Sequence, residues 1–202
     1  MGAEDSDRPV FYFDLGSPYS YLAAERINAL FTEAAGAPPV WQPILLGGLF
    51  KRFDRSSWGQ GPEREAGMAE IERRAAERGM QPIRWPDPWP GNMLYAMRVA
   101  TYAKQGGRVV AFSLAAFRQA FAAGRDLSDP DNVLTAAAAC ELHPKAVVAA
   151  VQRESVKREL REATDRAGDL GVRGVPSVLV GNEVFWGDDR LEEAAARSPT
   201  AA

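Results

Sequence analysis

Cysteine and histidine are almost absent from this 202-residue chain, which has Cys140 and His143 as its single examples. One cysteine excludes an intramolecular disulfide, a Cys-x-x-Cys redox pair and a zinc site built from cysteine and histidine. A Ser-His-Asp triad would have to use His143, which lies in a Leu142-His143-Pro144 segment typical of a junction between two helices. We therefore predict a structural or solvent-exposed His143, a Cys140 that packs as a small buried hydrophobe, and no metal site.

Long apolar runs and blocks of one charge are also missing. The net charge is -3, with 46% hydrophobic and 25% charged residues, a composition typical of soluble globular domains. Without a basic block the chain is a poor candidate for binding nucleic acid or a membrane surface. No apolar run reaches membrane-spanning length, and Met1–Pro9 is short, acidic and polar, unlike a signal peptide or anchor. We expect a cytoplasmic protein.

The stretch from Val10 to Ala23 is the first feature that points to chemistry. Val10–Phe13 predicts a short buried strand, and Ser17 followed by Pro18 predicts the N-cap and first residue of a helix. Apolar residues then recur at helical spacing up to Ala34. A helix that begins where a strand ends favours an anion such as a thiolate, and Ser17 adds a hydroxyl there. The alternative is that Ser17 only caps the helix.

The middle of the chain predicts helices alone. Residues 40–46 favour a second strand, which completes a right-handed parallel βαβ unit. Residues 47–62 predict a loop, and residues 81–91 contain four prolines and must be extended. Between residues 62 and 166 the remaining pattern indicates helices without a fixed repeat.

Strands return near the end of the chain. Ser177–Val180 and Glu183–Trp186 flank Gly181-Asn182, a turn typical of a β-hairpin, and a last helix is expected near Asp188 with capping-box spacing at Asp189 and Glu192. A βαβ unit and a ββα unit predict an α/β fold with one four-stranded mixed sheet.

A second local motif is Gly174-Val175-Pro176-Ser177, a proline directly before a strand. The Val175–Pro176 bond is a candidate for the cis form, which would turn the N–H and C=O of Val175 outward to pair with an extended peptide ligand. The alternative is that Pro176 simply begins the strand.

Four motifs together resemble one branch of the thioredoxin-fold proteins. Ser17-Pro18-Tyr19-Ser20 stands where redox members have Cys-Pro-x-Cys, and Gly174-Val175-Pro176 is similar to the cis-proline loop. Phe11-Tyr12-Phe13-Asp14 and Phe185-Trp186-Gly187-Asp188-Asp189-Arg190-Leu191 resemble the opening and C-terminal motifs of 2-hydroxychromene-2-carboxylate isomerases and kappa-class glutathione transferases. The resemblance implies a DsbA/kappa-like thioredoxin domain at residues 8–46 and 168–202, with an all-α insertion domain at residues 47–167.

This resemblance also implies a cofactor and an activity. Glutathione, or another low-molecular-weight thiol, would supply the sulfur that the chain lacks, and Ser17 would hold it as a thiolate. Val175 and Pro176 would bind its cysteinyl part, and Asp188 and Asp189 its γ-glutamyl ammonium. The implied reaction is cis–trans isomerisation of 2-hydroxychromene-2-carboxylate, or a similar small molecule of aromatic catabolism, by a homodimer.

The substrate side of the resemblance rests on three residues in variable loops. Lys51 would bind the substrate carboxylate, Trp89 would form an aromatic wall and Asn92 would be a site residue; the alternatives are a solvated lysine, a packing tryptophan and a helix cap. The chain departs from the isomerases at Arg74, where they tend to have Trp, and at Glu70, where they have Asp. A kappa-like transferase and a non-catalytic thiol-binding protein are therefore the two alternative functions.

Overall fold

A computed structural model of the chain describes residues 8–199, so most of Met1–Pro9 lies outside the described residues. Four strands form one sheet: β1 (Val10–Phe13), β2 (Val40–Pro43), β3 (Ser177–Val180) and β4 (Glu183–Trp186). Their order is β2-β1-β3-β4, with β1 parallel to β2 and antiparallel to β3, and β3 antiparallel to β4. The predicted four-stranded mixed sheet and its C-terminal hairpin are confirmed.

Ten α-helices lie within residues 8–199. They are α1 (Pro18–Ala24), α2 (Ile27–Ala35), α3 (Leu46–Arg52), α4 (Arg64–Glu77), α5 (Leu94–Gln105), α6 (Val109–Phe121), α7 (Pro130–Ala138), α8 (Pro144–Ala150), α9 (Glu154–Asp169) and α10 (Leu191–Arg197). The described chain has no strand between β2 and β3, as predicted. None of these helices combines the length and apolar character needed to cross a bilayer.

Both faces of the sheet are covered. Alternate residues of a strand point to opposite faces, so Phe11 and Phe13 enter the larger core while Tyr12 packs in a smaller cluster with Ile44 and Val175. The larger core contains residues from both the sheet and helices α5–α9. The division at residues 47 and 168 stays a prediction, and the last three residues of its second segment lie outside the described range.

The first helix is interrupted, which the sequence pattern did not predict. One helix was expected from Pro18 to Ala34, but α1 ends at Ala24 and α2 begins at Ile27. At the break the Arg26 N–H bonds the Ala23 carbonyl, and the Arg26 side chain donates to the Asp188 carbonyl at 2.7 Å and to Glu192. These tertiary bonds hold Arg26 outside helical geometry and redirect α2 towards α10.

The second strand is shorter than expected and a helix replaces the predicted loop. Strand β2 ends at Pro43, and α3 and a short 3₁₀ helix at Trp58–Gln60 occupy part of residues 47–62. The Leu45 N–H donates to Thr164 Oγ1 and the Leu46 N–H to Asp14 Oδ2, so side chains, not a neighbouring strand, satisfy them. A Cβ at Gly48 would lie 2.9 Å from Thr164 Cγ2, so glycine allows α3 to approach α9.

The last helix also begins later than predicted. Helix α10 starts at Leu191 after an Arg190 N-cap that makes no side-chain bond, so the predicted capping box of Asp189 and Glu192 is wrong. Glu192 pairs with Arg26 instead.

The two rare residues have the structural roles that were predicted. Cys140 is buried, and burial raises the pKa of its thiol. His143 is the N-cap of α8, where its Nδ1 accepts from the Lys145 N–H at 3.2 Å.

Candidate active site

Ser17 lies at the start of α1, at the carboxyl end of β1, and is only 5% exposed. Its Oγ accepts from the Ser20 N–H at 3.2 Å, so Ser17 is the N-cap that the sequence predicted. Its hydroxyl also donates to the Val175 carbonyl at 3.4 Å. A bond this long is weak, so the proton can rotate towards a better acceptor while the cap bond is kept.

The loop before β3 faces Ser17. The Val175–Pro176 peptide bond is cis, and the Val175 carbonyl is the group that Ser17 contacts. Within residues 8–199 the Val175 N–H has no hydrogen-bond partner. Ser177 Oγ donates to the Gly174 carbonyl at 2.8 Å, which closes the loop on its inner side. Val175 therefore presents a backbone donor and acceptor, as an extended peptide ligand would require.

A cavity of about 340 Å³ opens between Ser17 and this loop. Its volume is near the lower end of the range for small-molecule sites, about 300–1,000 Å³. Its walls come from α1, α3, α4, the loop after α3 and the end of β4. The lining side chains include Ser17, Arg55, Trp58, Trp89, Trp186 and Asp189.

Of the three predicted substrate residues, the structure brings one to this cavity. Trp89 is 7% exposed, lines the cavity and donates from Nε1 to the Gly16 carbonyl at 3.2 Å. Lys51 is exposed in the last turn of α3, where the helix dipole favours a cation, and does not line the cavity. Asn92 is exposed outside the cavity, and its Oδ1 accepts from the Leu94 N–H at the start of α5.

Asp188 lines the cavity, but its charge is already compensated. Its carboxylate is 1% exposed and accepts from Arg74 at 2.7 Å and from Arg78 at 2.6 Å. Arg74 is the departure from the isomerase pattern noted in the sequence, and the structure shows its partner. Each oxygen of Asp188 thus already accepts from a guanidinium, and the role of Asp188 as acceptor of an ammonium stays a prediction.

Asp189 is the second of the two aspartates predicted to bind the ammonium. It is exposed, lines the cavity and forms no ion pair within residues 8–199. Of the two aspartates predicted to bind the ammonium, only Asp189 therefore presents an uncompensated carboxylate.

Arg55 and Trp186 are site residues that the sequence did not single out. The Arg55 guanidinium lies 4.9 Å from the centroid of the Trp186 ring and donates to the Arg173 carbonyl at 2.9 Å. A Cβ at Gly174 would lie 2.8 Å from the Trp186 ring, so glycine lets the ring stack against the cis-proline loop. Arg55 has no acidic partner in the described chain, which leaves one uncompensated cation at the rim.

Behind Ser17 lies a buried carboxylate. Asp14 is 3% exposed and accepts from the Gly16 N–H and the Leu46 N–H, both at 2.8 Å. Burial raises the pKa of Asp14 to about 6, although the two backbone bonds oppose this shift. Asp14 thus links the turn that carries Ser17 to the start of α3.

Comparisons with known proteins identify the family of the chain. The family model of the DSBA-like thioredoxin domain matches residues 10–197. A 2-hydroxychromene-2-carboxylate isomerase of Sphingobium xenophagum is 29% identical over 188 residues, covering 90% of this chain and 93% of that protein. Glutathione S-transferase kappa 1 of Caenorhabditis elegans is 26% identical over 200 residues, covering 90% of this chain and 86% of that protein.

A solved structure shows the same fold. A 2-hydroxychromene-2-carboxylate isomerase superposes with a TM-score of 0.81 at 22% identity, covering 91% of this chain and 90% of the other. The resemblance stated from the four motifs, and the thioredoxin fold with DsbA/kappa-like helices that it implied, are confirmed.

Proposed function

Because this chain belongs to the DSBA-like thioredoxin domain family, we propose that it is a glutathione-dependent enzyme that isomerises 2-hydroxychromene-2-carboxylate or a similar unsaturated aromatic acid. Ser17 and Ser20 stand at the positions of the redox cysteines and cannot form a disulfide, so disulfide exchange is not the activity. The observation that carries the proposal is the Ser17 hydroxyl, which contacts the cis-proline loop at the edge of an open cavity and donates only a weak bond there.

The residues present fit glutathione. The Val175 N–H and C=O match the backbone of a cysteinyl residue, Ser17 offers a proton to its sulfur, and exposed Asp189 offers a carboxylate to its ammonium. Arg55 offers a guanidinium to a carboxylate of the thiol or of the substrate. We assign this contact to Arg55 because Lys51 lies outside the cavity.

The protein would hold the thiolate of glutathione next to the aromatic acid that is its substrate. When bound, glutathione would supply a thiolate that adds reversibly to a conjugated double bond and so permits rotation about it. A free thiol has a pKa near ~8.5 and is mostly protonated at neutral pH. Ser17 would stabilise the anion by donating a hydrogen bond, while Trp58 and Trp89, whose rings lie 4.9 Å apart and are tilted by 56°, would provide an apolar wall for the aromatic acid.

A pair of serine variants tests this role. Calorimetric titration with glutathione, together with the ultraviolet absorbance of the bound thiolate against pH, is measured for the wild type, Ser17→Ala and Ser20→Ala. Ser20 is a matched control because it lies one helical turn away with a buried hydroxyl that has no partner. A charged hydrogen bond is worth about 1.5–3 kcal/mol, so we expect Ser17→Ala to lose roughly 10- to 100-fold in thiolate stabilisation and isomerase rate, and Ser20→Ala to retain both.

Unchanged thiolate stabilisation in Ser17→Ala would refute the role of Ser17. Absence of glutathione binding to the wild type would refute glutathione dependence, and a repeat with other small thiols then tests the broader thiol proposal. Binding without turnover would favour the non-catalytic alternative.

The similarity to a kappa-class transferase supports a second candidate function. A transferase would join the same thiol to an electrophile and release the adduct, so it would consume thiol, whereas an isomerase would not. Thiol titration during turnover separates the two: constant thiol with a hydroxychromene carboxylate supports the isomerase, and loss of thiol with a chlorodinitrobenzene supports the transferase.

A further inference from the structure

A second cavity, of about 260 Å³, lies between the start of α3, α5 and α9. It shares no lining residue with the cavity at Ser17. Three leucines form its apolar wall, and three cations lie around it. These are Leu45, Leu94 and Leu160, and Arg98, Lys157 and Arg161. An apolar wall with a cluster of one charge is a combination that suits an amphiphilic ligand.

Arg98 is the unusual member of this cluster. Its Nε is buried and has no hydrogen-bond partner, and within residues 8–199 no ion pair forms on its guanidinium. Buried donors in proteins are nearly always satisfied, so an unpartnered guanidinium nitrogen beside an apolar cavity requires an explanation. The Nε itself is closed to the cavity, so an anionic ligand there would pair with the terminal nitrogens of Arg98, which are accessible and form no hydrogen bond within residues 8–199.

The acidic groups nearby do not compensate the three cations. Among the described residues 8–199, Asp165 is the one acidic residue that lines the cavity, and Glu154 outside it accepts from Lys157 at 2.7 Å. The Lys157 hydrogen bond lowers the pKa of Glu154, and the charges of Arg161 and Arg98 lower it further. The positive charges of Arg98, Lys157 and Arg161 thus act on the same region, and the cavity keeps an excess of positive charge.

We propose that this cavity is a binding site for a small organic carboxylate, whose acid group pairs with Arg98 and whose apolar body packs against Leu45, Leu94 and Leu160. A guanidinium binds carboxylate and phosphate alike through its planar fork, but the three leucines require an apolar part that a free phosphate lacks. The cavity lies slightly below the common range of ~300–1,000 Å³, so the ligand is small. This site does not depend on the thiol chemistry proposed for Ser17.

The probe is 3-phenylpropanoate, with 3-phenylpropanamide as its uncharged counterpart. Both are titrated into the unmodified chain and into Arg98→Met, with methyl NMR and calorimetry as readouts and circular dichroism as the check of folding. We expect saturable one-to-one binding of the acid, at least tenfold weaker binding of the amide, and at least tenfold weaker binding of the acid to Arg98→Met. The comparison of acid and amide uses the wild-type chain, so it holds even where the variant does not fold.

Two further variants locate the probe. Arg158→Met removes an exposed arginine of α9 that does not line the second cavity, and Arg55→Met removes the cation of the cavity at Ser17. We expect Arg158→Met to bind the acid as the wild type does. Because Arg55 is assigned to a carboxylate in the cavity at Ser17, Arg55→Met removes binding of the probe there, and we expect it to keep the binding that Arg98→Met loses. Loss of binding in Arg55→Met but not in Arg98→Met, equal binding of acid and amide, effective competition by inorganic phosphate, or no saturable binding would each overturn the proposal.

Discussion

Two carboxylates next to the cavity at Ser17 are buried to the same degree but satisfied in opposite ways. Asp14 is 3% exposed and Asp188 is 1% exposed. Asp14 has backbone N–H groups as its partners, and burial raises its pKa to about 6. Asp188 has two guanidiniums, those of Arg74 and Arg78. Burial alone therefore does not define the electrostatics of the site; the type of partner does.

The difference follows from where each partner lies in the chain. Asp14 takes one of its two bonds from Gly16, two residues on, so part of its surroundings is local. Asp188 takes its ion pairs from residues 114 and 110 positions away. The hydrogen bonds of Asp14 position the turn at Ser17, whereas the ion pairs of Asp188 join α4 to the segment after β4.

The largest expected effect comes from removing the carboxylate between the two arginines. Asp188→Ala would leave the Arg74 and Arg78 guanidiniums close together without their counter-ion. Removing one partner of a buried ion pair costs about 3–5 kcal/mol. Because the two arginines are 23% and 25% exposed, water can partly solvate them, and we expect the free energy of unfolding to fall by an amount near the lower end of that range. Chemical denaturation measures the free energy of unfolding.

Asp189→Ala is the matched control for this variant. Asp189 is the next residue, exposed and without an ion pair in the described part of the chain. We expect its free energy of unfolding to stay within about 0.5 kcal/mol of the wild type. A similar loss of stability in both variants would show that the two arginines do not depend on Asp188.

A smaller, pH-dependent effect is expected at Asp14. Between the ordinary carboxyl pKa of 3.8 and about 6, the folded chain retains a proton that the unfolded chain has released. Asp14 therefore adds stability as the pH falls from 7 to 4, and this contribution is lost as the pH rises through 6. A shift of about two units corresponds to at most about 3 kcal/mol.

Asp14→Asn removes this titration, so comparison with the wild type isolates the contribution of Asp14 to stability. We expect the difference in unfolding free energy, wild type minus Asp14→Asn, to increase as the pH falls from 7 to 4, with the increase beginning near pH 6 and levelling off below the unfolded pKa of 3.8. Other carboxylates contribute equally to both chains and cancel. A difference that is constant with pH, or that decreases towards pH 4, would contradict the raised pKa of Asp14.

The parts of the fold that the sequence predicted are those with local signals. The Gly181-Asn182 turn joins β3 and β4 at the expected residues, and Ser17 with Pro18 begins α1. The errors lie where distant residues decide the backbone. The break at Arg26 depends on Asp188 and Glu192, and no local periodicity carries that information.

The site divides in the same way. Ser17 and Pro176 were found because each lies in a short contiguous motif that a resemblance can locate. Arg55 and the pairing of Asp188 with Arg74 were missed because loops of variable length separate the residues in sequence, and only the folded chain brings them together. Motifs thus locate the groups that we propose to bind sulfur, whereas the charge balance around them requires tertiary structure.

The smallest expected effect tests whether burial makes the Asp188 ion pairs important. Arg26 and Glu192 form a bidentate pair of the same chemistry, but Glu192 is 59% exposed. An exposed pair contributes about 0–1 kcal/mol, so Glu192→Ala should lower the free energy of unfolding by about 0.5 kcal/mol or less. Arg26→Met should cost more, about 1 kcal/mol, because Arg26 also donates to the Asp188 carbonyl. If Glu192→Ala lowers the free energy of unfolding as much as Asp188→Ala does, burial is not what makes the Asp188 ion pairs important. The guanidinium contacts themselves would then account for the effect.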